Sequence, residues 1–431
     1  MTTSPFFTRG ELDFHFFVLS FADKNLVKQK IREQAELSNN AFCVIDLGEI
    51  VQRHFRWLKA LPKVIPFYAV KAQNDERVLK TLAALKTGFD CASKQEIQLL
   101  QNLGVHADRI LFANPCKQPS HITYAAQTGV RLMTFDSEEE LTKIDRLHHD
   151  AKLVLRIKVD DSNSDSILSV KFGAPIEASQ RLLKQAKKLG LEVIGVSFHV
   201  GSGCKDAQAY RKAIAEARRA FDFGTLMGFD MYLLDIGGGF PGINEIEPTF
   251  EDIAEVINAA LERHFPDDAN LTIIGEPGRY YATSALTIAV TVIAKKCVED
   301  TPGDKKFMYY VNDGVYGSFN CILFNHARPM PMLLKEKRLE DKDYVSSIWG
   351  PSCDGLDCIV KRCELPELQV GDWLIFENMG AYSLVSSSTF NGFPKPEKHY
   401  VISEFSKQMV TQVANYTSEY NDHGSVCMTS F

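Results

Sequence analysis

No apolar run in the chain approaches the ~20 residues that a membrane-spanning helix requires; the stretch Ala285 to Ala294 stops far short. The opening residues, Met1 to Glu11, show no basic start followed by an apolar block, so no secretory signal is expected. Positive charge is not in surplus. A formal net charge of -7 and a pI near 5.9 argue against general nucleic-acid binding. Ten cysteines are present without a single CxxC pair, in a chain large enough to need no disulfides. That pattern points to reduced thiols and a cytoplasmic location. The series Cys353, Cys358 and Cys363 lacks metal-ligand spacing and a nearby histidine, so no metal is expected. No GxGxxG follows the first strand candidates, which removes the main signature of an open dinucleotide-binding sheet. Low-complexity tracts and short internal repeats are missing as well.

What is there is an ordinary globular composition, 45% hydrophobic and 24% charged over 431 residues. That length suits one large domain and a smaller one. The first ~35 residues carry no clear pattern. Ala41 to Ile45 reads as a strand and Leu47 to Lys59 as a helix. Short apolar runs then alternate with amphipathic stretches. The strands expected are Val64 to Lys71, Thr87 to Cys91, Arg109 to Ala113, Arg131 to Phe135, Leu153 to Val159, Glu192 to His199, Met231 to Ile236 and Leu271 to Gly275. Eight strand–helix units in succession predict a (β/α)8 TIM-like barrel. After about Tyr281 strand-like pieces follow one another with few helices, among them Thr287 to Ala294, Ser318 to Phe324 and Trp373 to Glu377. They predict an all-β domain. The expected layout is an N-terminal segment over 1–40, contributing to the β-domain or partly disordered, and a barrel over 41–281. A β-domain over 282–403 and a polar, fraying tail over 404–431 complete it.

Barrel strands deliver their C-terminal ends to one mouth, where active sites of this architecture lie. Here those ends carry Lys71, Asp90, Asn114, Arg156, His199, Gly237 to Gly239, and Glu276 to Arg279. A lysine at a strand end commonly snorkels to water, and a triple glycine is commonly a turn. Placed after the seventh and eighth strands, Gly238, Gly239 and Gly278 also suit a backbone cradle for phosphate, with Arg279 as a charged contact. A phosphate cradle facing a lysine amine suggests pyridoxal 5'-phosphate. Glu276 is then a candidate partner for the pyridine nitrogen, and His199 a candidate to stack on the ring.

The segments Pro66 to Lys71, Gly88 to Ser93, Ser197 to Gly203, Asp235 to Gly242 and Glu276 to Tyr280 resemble the eukaryotic ornithine decarboxylases. So do Tyr310 to Asn320, Trp349 to Asp357, Glu377 to Tyr382 and Phe390 to Phe393, and the likeness covers roughly residues 40 to 403. It implies an alanine-racemase-like (fold type III) barrel with a C-terminal β-domain, acting as a homodimer whose active sites are shared between subunits. It implies conversion of ornithine to putrescine in polyamine biosynthesis, with Lys71 as the Schiff-base lysine. His199 would stack on the cofactor and Glu276 would face its ring nitrogen. Ser202, Gly239, Gly278, Arg279 and Tyr382 would hold the phosphate. Asp90, Glu96 and Arg156 would surround Lys71 and the ring. Cys353, from the other subunit, would protonate the carbanionic carbon and Asp354 would bind the distal amine of the substrate. Lys171 and Asp357 would bridge the subunits, and 119–142 resembles a segment that contacts antizyme.

The chain departs from that pattern at Phe324-Asn325-His326-Ala327, where the family has Tyr-Asp before His-Ala. Loss of a carboxylate beside a substrate cation removes a charge-assisted contact worth ~1.5–3 kcal/mol when buried. Weaker ornithine binding, or preference for another amino acid such as lysine, follows. The C-terminal tail is short for the family, and Ala72-Gln73 replaces the usual Cys-Asn. Two other readings share the fold: a non-catalytic binding protein of the antizyme-inhibitor kind, and a racemase. A racemase on this fold typically takes a tyrosine from the partner subunit as its second base, whereas the Cys353 motif and the retained cofactor set here make decarboxylation the expectation.

Overall fold

A computed structural model of the chain describes residues 25–266, 270–299, 301, 303–338 and 340–421. The first 24 residues of the expected N-terminal segment and the last ten of the tail lie outside the described residues. Two compact units are present: one built on Arg53–Tyr281, the other on Ala282–Lys407 together with residues up to Gln52.

The first unit is a closed, all-parallel, eight-stranded barrel. Its strands, in chain order, are Val64–Ala69, Gly88–Cys91, Ile110–Phe112, Leu132–Phe135, Lys152–Arg156, Glu192–Ser197, Leu233–Asp235 and Thr272–Gly275. The last closes on the first, Ile273 lying beside Val64. Parallel strands covered by helices are buried on both faces, which is why they read as short apolar runs. Phe67, Leu111, Val154, Ile194, Leu233 and Ile274 fill the interior. Side-chain caps start several helices where a polar residue follows a strand: Asp75 accepts from the Arg77 amide, Ser93 from Glu96 and Ser137 from Glu140. Thr249 and Asp252 form a full capping box. Because every strand runs the same way, all eight C-terminal ends open on one mouth.

Several strands end earlier than their apolar runs. Val64 to Lys71 was expected as one strand, yet it stops at Ala69 and Lys71 lies in the 3-10 turn Val70–Ala72. The hydroxyl of Tyr68 ties that turn down by donating to the Gln73 carbonyl at 2.9 Å. His199 likewise lies beyond its strand, which ends at Ser197.

The second unit holds an eight-stranded mixed sheet. Its spine is Leu286–Glu299, whose first half lies between Phe42–Asp46 and Trp373–Phe376 and whose second half pairs with Lys305–Val311. A register shift between Val292 and Ala294 separates the halves. Asp343–Trp349 and Cys358–Pro366 extend one end, and Glu397–Val401 lies parallel to Phe42–Asp46. Ile31, Phe42, Val44, Ala289, Trp373 and Val401 form the core.

Four expectations need correction here. The strand expected over residues 41–45 forms, but it pairs antiparallel with Leu286–Ala289 in this sheet and not in the barrel. Ser318 to Phe324 was expected as a strand and is helical, as Ser318–Asn320 and Cys321–Asn325. Local hydrogen bonds capture it: Asp313 Oδ1 accepts from the amides of Gly314 and Ser318, and Asn320 Nδ2 donates to the Gly317 and Ser383 carbonyls. Cys358–Pro366 was not expected, since Lys361, Arg362 and Glu364 mask its alternation. The tail, expected to fray, forms the helix Glu404–Asn421, which the Ser403 hydroxyl caps by accepting from Ser406. Among the described residues no helix is long and apolar enough to cross a membrane.

Candidate active site

Lys71 and Asp90 meet at the barrel mouth. Strand register sets Ala69 beside Asp90, and the Lys71 ammonium pairs with Asp90 Oδ2 in a very short contact. The Asp90 side chain is 1% exposed and that of Lys71 is 41% exposed, so the cation compensates a carboxylate that burial would otherwise penalise heavily. Behind them Glu96, in the first turn of its helix, reaches back to the Ala92 amide at 2.5 Å. Burial raises its pKa, and the charge of Asp90 adds to the rise.

His199 is held neutral. Its pKa is well below the ordinary range, first because the ring is desolvated and then because Arg156 and Lys71 repel a second cation. Its Nδ1 accepts from the Gly201 amide at 3.0 Å, which leaves the proton on Nε2. The Arg156 guanidinium lies over the ring of Phe172, 5.2 Å from its centroid.

Two buried carboxylates stand at the ends of the seventh and eighth strands. Asp235 is 1% exposed and Glu276 6%. Burial pushes Asp235 up to about 7 and Glu276 well above its usual range; the charge of Asp235 adds to the rise of Glu276, while a hydrogen bond from Glu276 holds Asp235 down. The Gly237 amide donates to Asp235 Oδ1 at 2.9 Å, while the Glu276 amide donates to the Gly237 carbonyl at 2.7 Å. The pair therefore shares a proton near neutral pH.

The glycine run between these carboxylates packs against everything around it. Gly237 and Gly239 have φ of +63° and +118°. A Cβ on Gly238 would sit 2.8 Å from His199 Nε2 and from the Glu276 carbonyl; one on Gly239 would sit 2.7 Å from the Tyr210 hydroxyl. Only glycine fits there. Tyr210 donates to the Gly238 carbonyl at 2.9 Å, and Arg279 approaches the Ser202 hydroxyl through Nε and Nη2, each at 3.4 Å. Pyridoxal phosphate suits this donor set: an anion cradle of glycines, a serine and an arginine, a neutral imidazole, a proton-holding carboxylate pair and a lysine amine. Asp90 Oδ1 and Ser197 Oγ, both buried, have no hydrogen-bond partner among the described residues, as expected of a mouth shaped for a polar guest.

Apart from Lys171, the remaining expected site residues belong to the second unit. Cys353 is exposed, and its amide donates to Asn391 Oδ1 at 3.1 Å. Asp354 accepts the hydroxyl of Tyr316 in a very short bond and the Leu356 amide at 2.9 Å, and its pKa is lowered by those two bonds in that order. Tyr316 packs at a tilt against Phe390 with ring centroids 4.4 Å apart. Phe324 is 68% exposed, and Asn325 ends a helical turn followed by His326 at φ +53°. Tyr382 takes a left-handed conformation at φ +55°. Asp357 is buried, its carboxylate accepting from the backbone amides of Val315 and Ser352. Lys171 belongs to the barrel unit, its ammonium 4.9 Å from the Phe172 ring centroid.

The barrel residues Lys71, Asp90, Glu96, Arg156, His199, Ser202, Gly238, Gly239, Glu276, Gly278 and Arg279 are thus carried on one unit. Phe324, Asn325, Cys353, Asp354, Asp357 and Tyr382 are carried on the other. Sequence reasoning overlooked Asp235, the partner of Glu276, although its position as the last strand residue before the glycine run marks it. Tyr210, Tyr316, Phe390 and Asn391 carried no signal of their own.

Comparison with known proteins agrees with this chemistry. Residues 47–283 match the family described as pyridoxal-dependent decarboxylase, pyridoxal binding domain. The chain is 53% identical to ornithine decarboxylase of Mus musculus over 437 residues, covering 98% of this chain and 95% of that one. It is 52% identical to antizyme inhibitor 2 of Xenopus laevis, covering 97% and 93%. Among solved structures, the arginine decarboxylase of Paramecium bursaria Chlorella virus superposes with a TM-score of 0.82 at 37% identity, covering 87% of this chain and all of that one. With its alanine-racemase-like barrel and separate β unit, the chain belongs to the pyridoxal-phosphate-dependent amino-acid decarboxylases of the ornithine decarboxylase family.

Proposed function

We propose that the protein decarboxylates a basic L-amino acid, ornithine to putrescine first among them, as a cytoplasmic homodimer with shared active sites. The observation that carries this reading is the barrel mouth, where Lys71–Asp90, neutral His199 and the Glu276–Asp235 pair surround a glycine cradle. When bound, pyridoxal phosphate supplies an aldehyde for an amine and a ring that accepts the electrons a departing carboxylate leaves behind.

The chain's own residues do the rest. Gly238, Gly239, Gly278, Ser202 and Arg279 would hold the phosphate. Lys71 presents the amine that would anchor the cofactor, and Asp90, paired with it, fixes where that amine stands. A neutral His199 offers a flat face without adding a cation next to the pyridine ring. Glu276 and Asp235 would supply a proton to the pyridine nitrogen, and Arg156 offsets the negative charge the pair takes on. Cys353, supplied by a second copy of the chain, delivers a proton to the substrate carbon. Asp354 stays ionised through Tyr316 and Leu356 and takes the substrate's distal ammonium. With Asn325 in place of a carboxylate, Asp354 carries that charge alone, so ornithine is held less tightly than in relatives with two acids.

A CO2-release panel with ornithine, lysine, arginine and neutral amino acids, repeated on Asn325→Asp, tests this reading. The expected result is release from a basic amino acid, with the substitution improving ornithine turnover. No release from any basic amino acid by cofactor-loaded protein would sink it. The likeness to antizyme inhibitor 2 supports a second reading, a binding role through residues 119–142. A colourless preparation that takes up no pyridoxal phosphate would favour that role over catalysis.

A further inference from the structure

We propose that Asp357 is the positioning residue of the Cys353–Asp354 loop, acting through backbone contacts inside its own chain; this rests on the reading that Cys353 and Asp354 serve the reaction. Asp357 is 2% exposed, and each of its carboxylate oxygens accepts a backbone amide of its own chain. Oδ1 accepts the Val315 amide at 2.8 Å and Oδ2 accepts the Ser352 amide at 2.9 Å. Its backbone closes the same loop, the amide donating to the Asp354 carbonyl at 3.1 Å and the carbonyl accepting from Gly350 at 2.8 Å. Four contacts from one residue therefore grip both sides of Cys353 and Asp354.

Glycines on two sides leave room for the carboxylate. A Cβ on Gly314 or Gly350 would lie 2.2 Å from Asp357 Oδ1. The segment at Gly314–Val315 leads directly to Tyr316, whose hydroxyl binds the Asp354 carboxylate. Through Oδ1 the residue sets the stretch that orients Asp354; through Oδ2 it sets the amide next to Cys353. A carboxylate is suited to this, because it accepts at both oxygens and donates at neither. An amide of the same shape accepts at one oxygen and presents an N–H to the second backbone donor, so one contact turns repulsive.

The test uses full-length, cofactor-loaded protein with Asp357→Asn and Gly350→Ala, the second displacing the carboxylate without removing its charge. The readout is the rate of Cys353 alkylation by iodoacetamide, followed by peptide mass spectrometry. Cys116 and Cys297, both exposed, are scored in the same samples. Protein concentration is chosen so that wild type and variants sediment alike, which holds subunit association fixed. Loss of one charge-assisted bond permits a change of roughly ten-fold at Cys353, with the two reference thiols unmoved and the cofactor absorbance intact. A wild-type rate at Cys353 in either folded variant overturns the proposal, as does an equal change at all three thiols. If one variant fails to fold, the other decides. Turnover of Cys353→Ala is measured alongside: unchanged turnover there would refute the catalytic role of Cys353 while leaving the alkylation result to judge Asp357.

Discussion

The Asp235–Glu276 pair makes a quantitative prediction for the cofactor-free protein. Two carboxylates are buried together at the ends of adjacent strands, with Asp90 adding negative charge and Arg156 and Lys71 offsetting part of it. Asp235 is pushed from the usual range to about 7, chiefly by burial. Its folded-state pKa lies above its unfolded one, so the folded protein holds the extra proton. The contribution to stability is complete below about pH 4 and is lost as pH rises through about 7. A displacement from 3.8 to about 7 corresponds to about 4 kcal/mol at full strength, and relaxation around the site leaves roughly 2 kcal/mol of it. Asp235→Asn removes the titration while keeping an acceptor for the Gly237 amide. Urea unfolding at pH 5 and pH 8 crosses about three fifths of that span and should show wild type losing roughly 1 kcal/mol more than the variant. In the variant Glu276 is also relieved of the charge of Asp235, so the difference reports the coupled pair as a whole. Equal pH dependence in wild type and Asp235→Asn would refute the shared-proton argument.

Three further outcomes are expected. Lys71→Met should abolish cofactor absorbance and lower cofactor-free stability by about 1–2 kcal/mol, because Asp90 loses its cation; adding Asp90→Asn should restore most of that loss in urea titrations. Gly238→Ala, with its methyl 2.8 Å from His199 Nε2 and the Glu276 carbonyl, should weaken pyridoxal phosphate binding at least about ten-fold by equilibrium titration. Lys117→Met should cost about 3 kcal/mol by urea unfolding, since the fully buried ammonium pairs with Glu140 at 2.9 Å and donates to the Thr134 carbonyl at 2.6 Å. A loss below about 1 kcal/mol would mean that Lys143, at 2.5 Å from Glu140, compensates the carboxylate by itself.

How much could be read beforehand follows from where the information sits in the chain. The barrel was legible because strands buried on both faces are continuous apolar runs, and because a charged residue directly after such a run stands at the mouth. Lys71, His199 and Glu276 are all of that kind. The second unit was less so, because its spine changes character midway: Leu286 to Val292 is buried on both faces, while Ile293 to Glu299 is largely exposed. Ser318 to Phe324 misled for a different reason. Its apolar residues suit a strand, but Asp313 and Asn320 supply side-chain bonds that a strand could not keep, and the helix wins. Asp235, and the hold of Asp357 on its own loop, were hidden by a third cause. A buried carboxylate is recognised by what surrounds it, and those surroundings come from distant stretches: Glu276 lies 41 positions from Asp235, and Val315 lies 42 from Asp357. Local pattern reports which face of a strand is wet or dry. Which proton is shared, and which loop is gripped, depends on contacts that close only when the chain has folded.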